Sequence, residues 1–336
     1  MIQRSIATWQ DLSWQDELRE LITDPEQLIA MLELDESLLP EAKRAATLFP
    51  LRVTPSFVSR MRRSDINDPL LRQVLPLGAE CLAHPDYTAD PLQELQANPL
   101  KGLIHKYHGR VLLMSTTSCA INCRYCFRRE FNYAANRLSK PDWENIFSYI
   151  KQDKHISEVI FSGGDPLLQP DKHFQWLIGE LEKIPHLERI RLHSRLPIVL
   201  PNRITPDLLD AFNRSRFRNV WVIHCNHANE IDKSVAETLK RIANADITLL
   251  NQAVLLRGVN DSAKTQHELS MALFSHRTLP YYLHVLDKVS GTAHFDLDEN
   301  QVQQIYQEMT RTLPGYLLPV LAREEPGMPA KTRIAS

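Results

Sequence analysis

The chain has 336 residues, of which 43% are hydrophobic and 24% charged, and its 39 Lys and Arg against 41 Asp and Glu leave a formal charge of −2. This composition sits near the soluble globular average and excludes disordered, collagen-like and low-complexity chains. The balanced charge offers no basic field for nucleic acid or an anionic membrane, so a small molecule is the expected partner.

At about 150 residues per domain, the length fits two domains or one large α/β domain with extensions. The opening stretch MIQRSIATWQDLSWQDELREL lacks the continuous apolar segment of a signal peptide, and no run is long enough to span a bilayer, which makes the cytoplasm the expected location. Residues 1–100 read as a helical N-terminal region that supports the packing of the rest. Asp24-Pro25, Thr54-Pro55 and Asp68-Pro69 each place a capping side chain before a proline suited to a first helical turn.

From Val111 onward the pattern changes. Short apolar runs begin at Val111, Glu158, Arg189, Asn219, Ile247 and Tyr281, and amphipathic segments with a period near 3.6 lie between or after them. Strands that alternate with helices form parallel sheets, so residues 101–322 are expected to build an open or closed β/α barrel of six units. No GxGxxG opens the first unit, which removes the main sign of a dinucleotide-binding fold. Polar residues follow each strand: the cysteines after the first, Ser162-Gly163-Gly164-Asp165, His193-Ser194-Arg195, His224 with Asn226 and His227, Asn251-Gln252, and His284 with Asp287. In parallel β/α folds the carboxyl ends of the strands build the active site, so these groups should converge.

Five cysteines are too few for a disulfide framework in so long a chain. Cys81 and Cys225 read as structural. Cys119, Cys123 and Cys126 form C-x3-C-x2-C, a metal-ligand spacing. Three thiolates without a fourth suit an iron-sulfur cluster that keeps one iron open, and a zinc completed by His105 or His108 is the other reading. Tyr125, beside the last of these cysteines, suits packing against a bound ring or ordinary loop packing. Glycines at 163 and 164 permit close backbone approach to a ligand, and the Asp165 carboxylate can accept bonds from an ammonium group.

The C-x3-C-x2-C loop after the first strand, together with SGGDP after the second, resembles the radical S-adenosylmethionine superfamily. That resemblance implies a partial (β/α)6-type barrel. It also implies a 4Fe-4S cluster on Cys119, Cys123 and Cys126, with S-adenosylmethionine on the open iron. Electron transfer to the sulfonium then releases methionine and a 5′-deoxyadenosyl radical. Further stretches, LIHKYHGRVLL, CRYCFRR, HSRLPIVLPNRI, LLNQAVLLRGVND, YYLHVLDKVSGTAHF and AREEPGMPAKTR, are similar to the lysine 2,3-aminomutases.

This narrower resemblance is strongest to the bacterial branch that makes (R)-β-lysine for modifying translation elongation factor P. It implies a second cofactor, pyridoxal 5′-phosphate, held as a Schiff base by Lys331 in a short C-terminal tail, residues 323–336. Met328-Pro329-Ala330 stand where the fullest family pattern has glycines, so the turn there must differ. Tyr107 and Arg110 match positions near pyridoxal phosphate, with Lys106 where the family has arginine. Gly163, Gly164, Asp165 and Gln252 match contacts to S-adenosylmethionine. Arg128 matches the residue that grips the substrate carboxylate. Asp287 and Glu324 match the pair that binds the lysine ε-ammonium, with Glu324 where other members have aspartate. The implied partners are free L-lysine, an electron donor such as flavodoxin or ferredoxin, and, functionally, elongation factor P and its lysine ligase. The alternatives are a radical enzyme acting on another amino acid or on RNA, and a non-catalytic iron-sulfur or zinc protein.

Overall fold

The computed structural model describes residues 13–130 and 136–334, so the first part of the expected helical region lies outside the described residues. One nine-stranded sheet runs in chain order. Leu103–Tyr107 (β1) pairs antiparallel with Arg110–Thr116 (β2). Six strands follow in parallel register: Glu158–Gly163 (β3), Arg189–Ser194 (β4), Arg218–His224 (β5), Thr248–Val254 (β6), Leu279–His284 (β7) and Val320–Arg323 (β8). Thr332–Arg333 (β9) turns back antiparallel onto β8. The result is the expected α/β partial barrel.

The six strands read from the sequence are β2 to β7. The structure adds β1, β8 and β9, which are short and lack a clear alternation. Because β8 spans residue 323 and β9 pairs with it, the C-terminal segment is an edge of the sheet and not a free tail.

Each parallel connection carries a helix, as same-direction strands require a crossover. These helices are Lys140–Gln152, Asp171–Glu182, Pro206–Asn213, Lys233–Asn244, Ala263–Ser275 and Glu299–Thr312. Five of them start at a Ser, Thr or Asp side chain that accepts a backbone N–H of the first turn: Ser139, Thr205, Asp232, Ser262 and Asp298. The helix Asp171–Glu182 buries Phe174, Leu177, Ile178 and Leu181, a stripe of i, i+3, i+4 and i+7 positions. Its Phe174 ring lies 6.1 Å from Phe161 of β3 and 5.7 Å from Phe212. Phe212 in turn meets Trp221 of β5 edge-on at 5.1 Å. This chain of buried rings joins two strands through two helices.

The N-terminal region is not a separate body. Its Leu28, Phe57 and Leu70 belong to the same hydrophobic cluster as the barrel core. Asp24 and Thr54 cap helices at Pro25–Met31 and Pro55–Val58, whereas Asp68 caps only a turn that leads into a short 3-10 segment. Arg60 donates to Ile198 O at 2.7 Å, which ties this region to the segment after β4.

Removing a ring from this core leaves a cavity that the rigid sheet fills poorly. Phe161→Ala is expected to cost about 3–5 kcal/mol in chemical denaturation, with the midpoint shifted and the slope unchanged. A loss below about 1 kcal/mol contradicts the packing described.

Candidate active site

The carboxyl ends of the parallel strands open onto a cavity of about 430 Å³. Every site residue expected from the sequence lines it: Cys119, Cys123, Cys126, Tyr107, Arg110, Arg128, Gly163, Gly164, Asp165, Gln252, Asp287, Glu324 and Lys331. His105 and His108 do not. His105 instead bonds the Tyr149 hydroxyl at 2.8 Å, and His108 packs on His155, so neither stands as a fourth ligand for zinc.

The cysteine loop leaves β2 and is clamped by the N-terminal region. Arg52 donates to Cys119 O at 2.9 Å, Asn122 N donates to Arg52 O at 2.9 Å, and Arg124 N donates to Gln73 O at 3.0 Å. From the barrel side, the Arg195 guanidinium donates to Cys123 Sγ at 2.8 Å and to Gln73 Oε1 at 2.6 Å, and it pairs with Glu230 at 3.2 Å. Tyr125 packs in the same network, its hydroxyl 3.2 Å from Gln73 Oε1 and accepting from Asn226 Nδ2 at 2.8 Å. Burial raises the Cys126 thiol to about 11 and pushes Cys119 up as well, so thiolates here need a cationic partner. Among the described residues, no three His, Cys, Asp or Glu side chains converge as ligands of a single ion. The thiols form one wall of the cavity. A cluster that takes each thiolate on a different iron fits this donor set, with Arg195 opposing the negative charge.

Two sequence readings gain structural detail. Gly163 has φ +117°, and a Cβ there would stand 2.6 Å from Thr116 O. At Gly164 a Cβ would stand 2.2 Å from Ser118 O. These glycines admit the backbone of the cysteine loop, and both also line the cavity. Asp165 lines the cavity, but its carboxylate accepts from Ser194 Oγ and Arg195 N, each at 2.7 Å, and from Leu167 N and Leu196 N. Burial raises it to about 6 against these bonds, and it fastens the end of β4 to the end of β3.

At the other end of the cavity, the β8–β9 pairing sets Arg323 opposite Thr332, which brings Lys331 beside Glu324. Lys331 Nζ donates to Glu324 Oε2 at 2.5 Å, while Lys106 Nζ and Tyr107 OH share the other oxygen at 3.3 and 3.2 Å. Burial opposes ionisation of Glu324, but the two ammonium groups outweigh it and hold the acid at about 2. Among the described residues Asp287 has no side-chain hydrogen-bond partner, and burial lifts it to about 7. Arg110 stacks over the Tyr107 ring at 4.7 Å. His193 Nε2 is buried on the cavity wall with no hydrogen-bond partner among the described residues, a donor or acceptor suited to a bound group. An amine, two further cations and this orphaned nitrogen are a fitting set for a phosphorylated aldehyde.

Several groups were not singled out in the sequence. Glu94, Tyr281 and Tyr282 line the cavity, and Gln73 and Glu230 support it through Arg195. Gln73 and Glu94 come from the N-terminal region, where no motif marks them.

Residues 113–267 match the Radical SAM superfamily. The chain is 47% identical over 320 residues to an L-lysine 2,3-aminomutase of Escherichia coli, covering 95% of this chain and 93% of that one. It is 43% identical to the L-lysine 2,3-aminomutase of Haemophilus influenzae, over 97% of this chain and 96% of the relative. A protein of the same name from Clostridium subterminale is 33% identical, over 98% of this chain and 79% of its own length.

The Asp287 shift has a defined sign. The unfolded chain releases this proton near 3.8, whereas the folded protein keeps it to about 7, so the Asp287 contribution to stability falls as pH rises between those values and stays low above them. Asp287→Asn escapes that loss. Its melting temperature is expected to exceed the parent's at pH 8, with the gap narrowing toward pH 5. A gap that is constant with pH removes the assignment.

Proposed function

Because the chain belongs to the lysine 2,3-aminomutase family of the radical SAM superfamily, an isomerase family, we propose that it converts L-lysine to (R)-β-lysine and supplies that product for modification of elongation factor P. The observation that carries this reading is the meeting, in one cavity, of three thiols at one end and a Lys331–Glu324 pair with Asp287 at the other. When bound, the iron-sulfur cluster and S-adenosylmethionine supply one-electron chemistry that removes and returns a hydrogen atom, and pyridoxal phosphate supplies a conjugated ring that delocalises an unpaired electron.

The chain's own residues do the positioning. Cys119, Cys123 and Cys126 hold the cluster, with Arg195 opposing the charge on Cys123. Lys331 supplies the amine that binds the aldehyde, and Arg110 and Lys106 supply cations for the phosphate. Arg128 presents a guanidinium to the substrate carboxylate. Asp287 and Glu324 receive the ε-ammonium, and two acids at that place repel the acidic side chain of glutamate. A cation beside Asp287 favours its ionised form, so lysine brings the charge that completes this subsite. Glu324 also holds the Lys331 nitrogen at the cavity when it is not bonded to cofactor.

The reading places the enzyme in the cytoplasm, with a flavodoxin or ferredoxin as electron donor and a ligase that transfers β-lysine to elongation factor P. Five free cysteines suit a reducing compartment, and no helix among the described residues is long and apolar enough to cross a membrane.

Serine at any one of the three cluster cysteines is expected to abolish 5′-deoxyadenosine formation under reducing, oxygen-free conditions, measured by chromatography. Lys331→Ala is expected to lose β-lysine formation when no amine is added. Undiminished β-lysine from Lys331→Ala refutes the lysine assignment, and a product of the other enantiomer refutes the stereochemical one.

A further inference from the structure

Arg128 lies between two parts of the chain far apart in sequence. Its Nε and Nη2 donate to the two carboxylate oxygens of Glu94 at 2.7 and 2.8 Å, a side-on bidentate pair. Its Nη1 reaches Ser162 Oγ at 3.2 Å and Gly163 O at 3.4 Å, at the end of β3. Both partners of the ion pair are buried, at 8% and 5% exposure, and both line the cavity. A buried pair of this kind is sensitive to loss of either member, because the other is left as an uncompensated charge.

The segment that carries Glu94 is itself fixed. Gln93 adopts a left-handed backbone, φ +49°, which a non-glycine residue takes at some cost. Lys106 Nζ holds Leu92 O at 3.0 Å, and Glu94 N donates to Asp90 Oδ1 at 3.3 Å. Lys106 also reaches Glu324, so the loop that presents Glu94 is tied to the end of the cavity that holds Lys331.

We propose that Glu94 is a positioning residue for substrate recognition: by pairing with Nε and Nη2 of Arg128 it fixes the plane of the guanidinium that an incoming α-carboxylate meets. The inference rests on the reading that Arg128 grips the substrate carboxylate. It adds a second effect. Glu94 on the cavity wall carries the same sign as the substrate carboxylate, and the bidentate pair neutralises it there, leaving Asp287 and Glu324 as the acids that select a cation. A guanidinium held on two sides loses little freedom when it binds, which is the advantage of a pre-organised fork over a mobile one.

The test compares L-lysine with L-lysinamide, which lacks the carboxylate charge. Dissociation constants for both are measured by calorimetry on protein loaded with cluster and pyridoxal phosphate, without reductant so that nothing turns over. The readout is the preference for lysine over the amide, a ratio that a loss of stability alone does not move. Arg128→Met is expected to bring the ratio near one. Glu94→Ala is expected to lower it about tenfold, with Glu94→Gln between it and the parent, because a neutral amide still offers one acceptor to the fork. The double variant Glu94→Ala/Arg128→Met should be no worse than Arg128→Met alone, since both act through one contact. If Glu94→Ala does not fold, Glu94→Gln carries the comparison. A parental ratio in the Glu94 variants together with a lost ratio in Arg128→Met overturns the positioning role and leaves the Arg128 reading intact. A parental ratio in Arg128→Met overturns that reading and the inference with it.

Discussion

A guanidinium removed from water must find partners for its charge, and the partners Arg195 finds organise the site. It reaches Cys123 from the barrel, Gln73 from the N-terminal region and Glu230 from the loop after β5, while its backbone N–H is held by Asp165. Four segments distant in sequence are thereby bound to one buried cation. Buried charge is tolerable only when such a network is nearly complete, so these bonds are strongly interdependent. The three thiols are spaced by the chain, but the wall they form is held in place from behind by this cation and by the carbonyls of the N-terminal region.

The far end of the cavity applies the same physics with a different outcome. Glu324 and Asp287 face one space, yet one is pulled down and the other pushed up. Desolvation acts on both. Two ammonium groups reach Glu324, whereas no described residue donates a hydrogen bond to the Asp287 side chain. The cavity thus contains one carboxylate already satisfied by protein cations and one waiting for a cation, an asymmetry suited to admitting a charged amine.

The repeating part of this architecture was legible from the sequence. Six strands announced themselves by apolar runs and six helices by their period, because each buries one face against the sheet over many residues. The cysteine spacing and the polar residues at the strand ends located the cavity, since chain direction alone decides which end of a parallel sheet they occupy. The short strands β1, β8 and β9 were not legible, as two to five residues carry too little pattern and pair only because their neighbours exist. Gln73 and Glu94 were invisible for a related reason. Each sits in an irregular segment and acquires its partner by a long-range contact, Arg195 or Arg128, that leaves no local mark. The glycines at 163 and 164 were found for their position, but what they accommodate, the carbonyls of Thr116 and Ser118, is a matter of tertiary packing.

Strand order equals chain order throughout the sheet, and Lys331 lies immediately before its last and smallest strand. During synthesis the sheet can therefore grow outward from one edge as each β/α unit emerges, with every new strand docking on a neighbour already made. The thiol wall comes with the first parallel strand and the amine only after the seventh. The two ends of the cavity are thus made in a fixed order, with the three thiols synthesised about two hundred residues before Lys331.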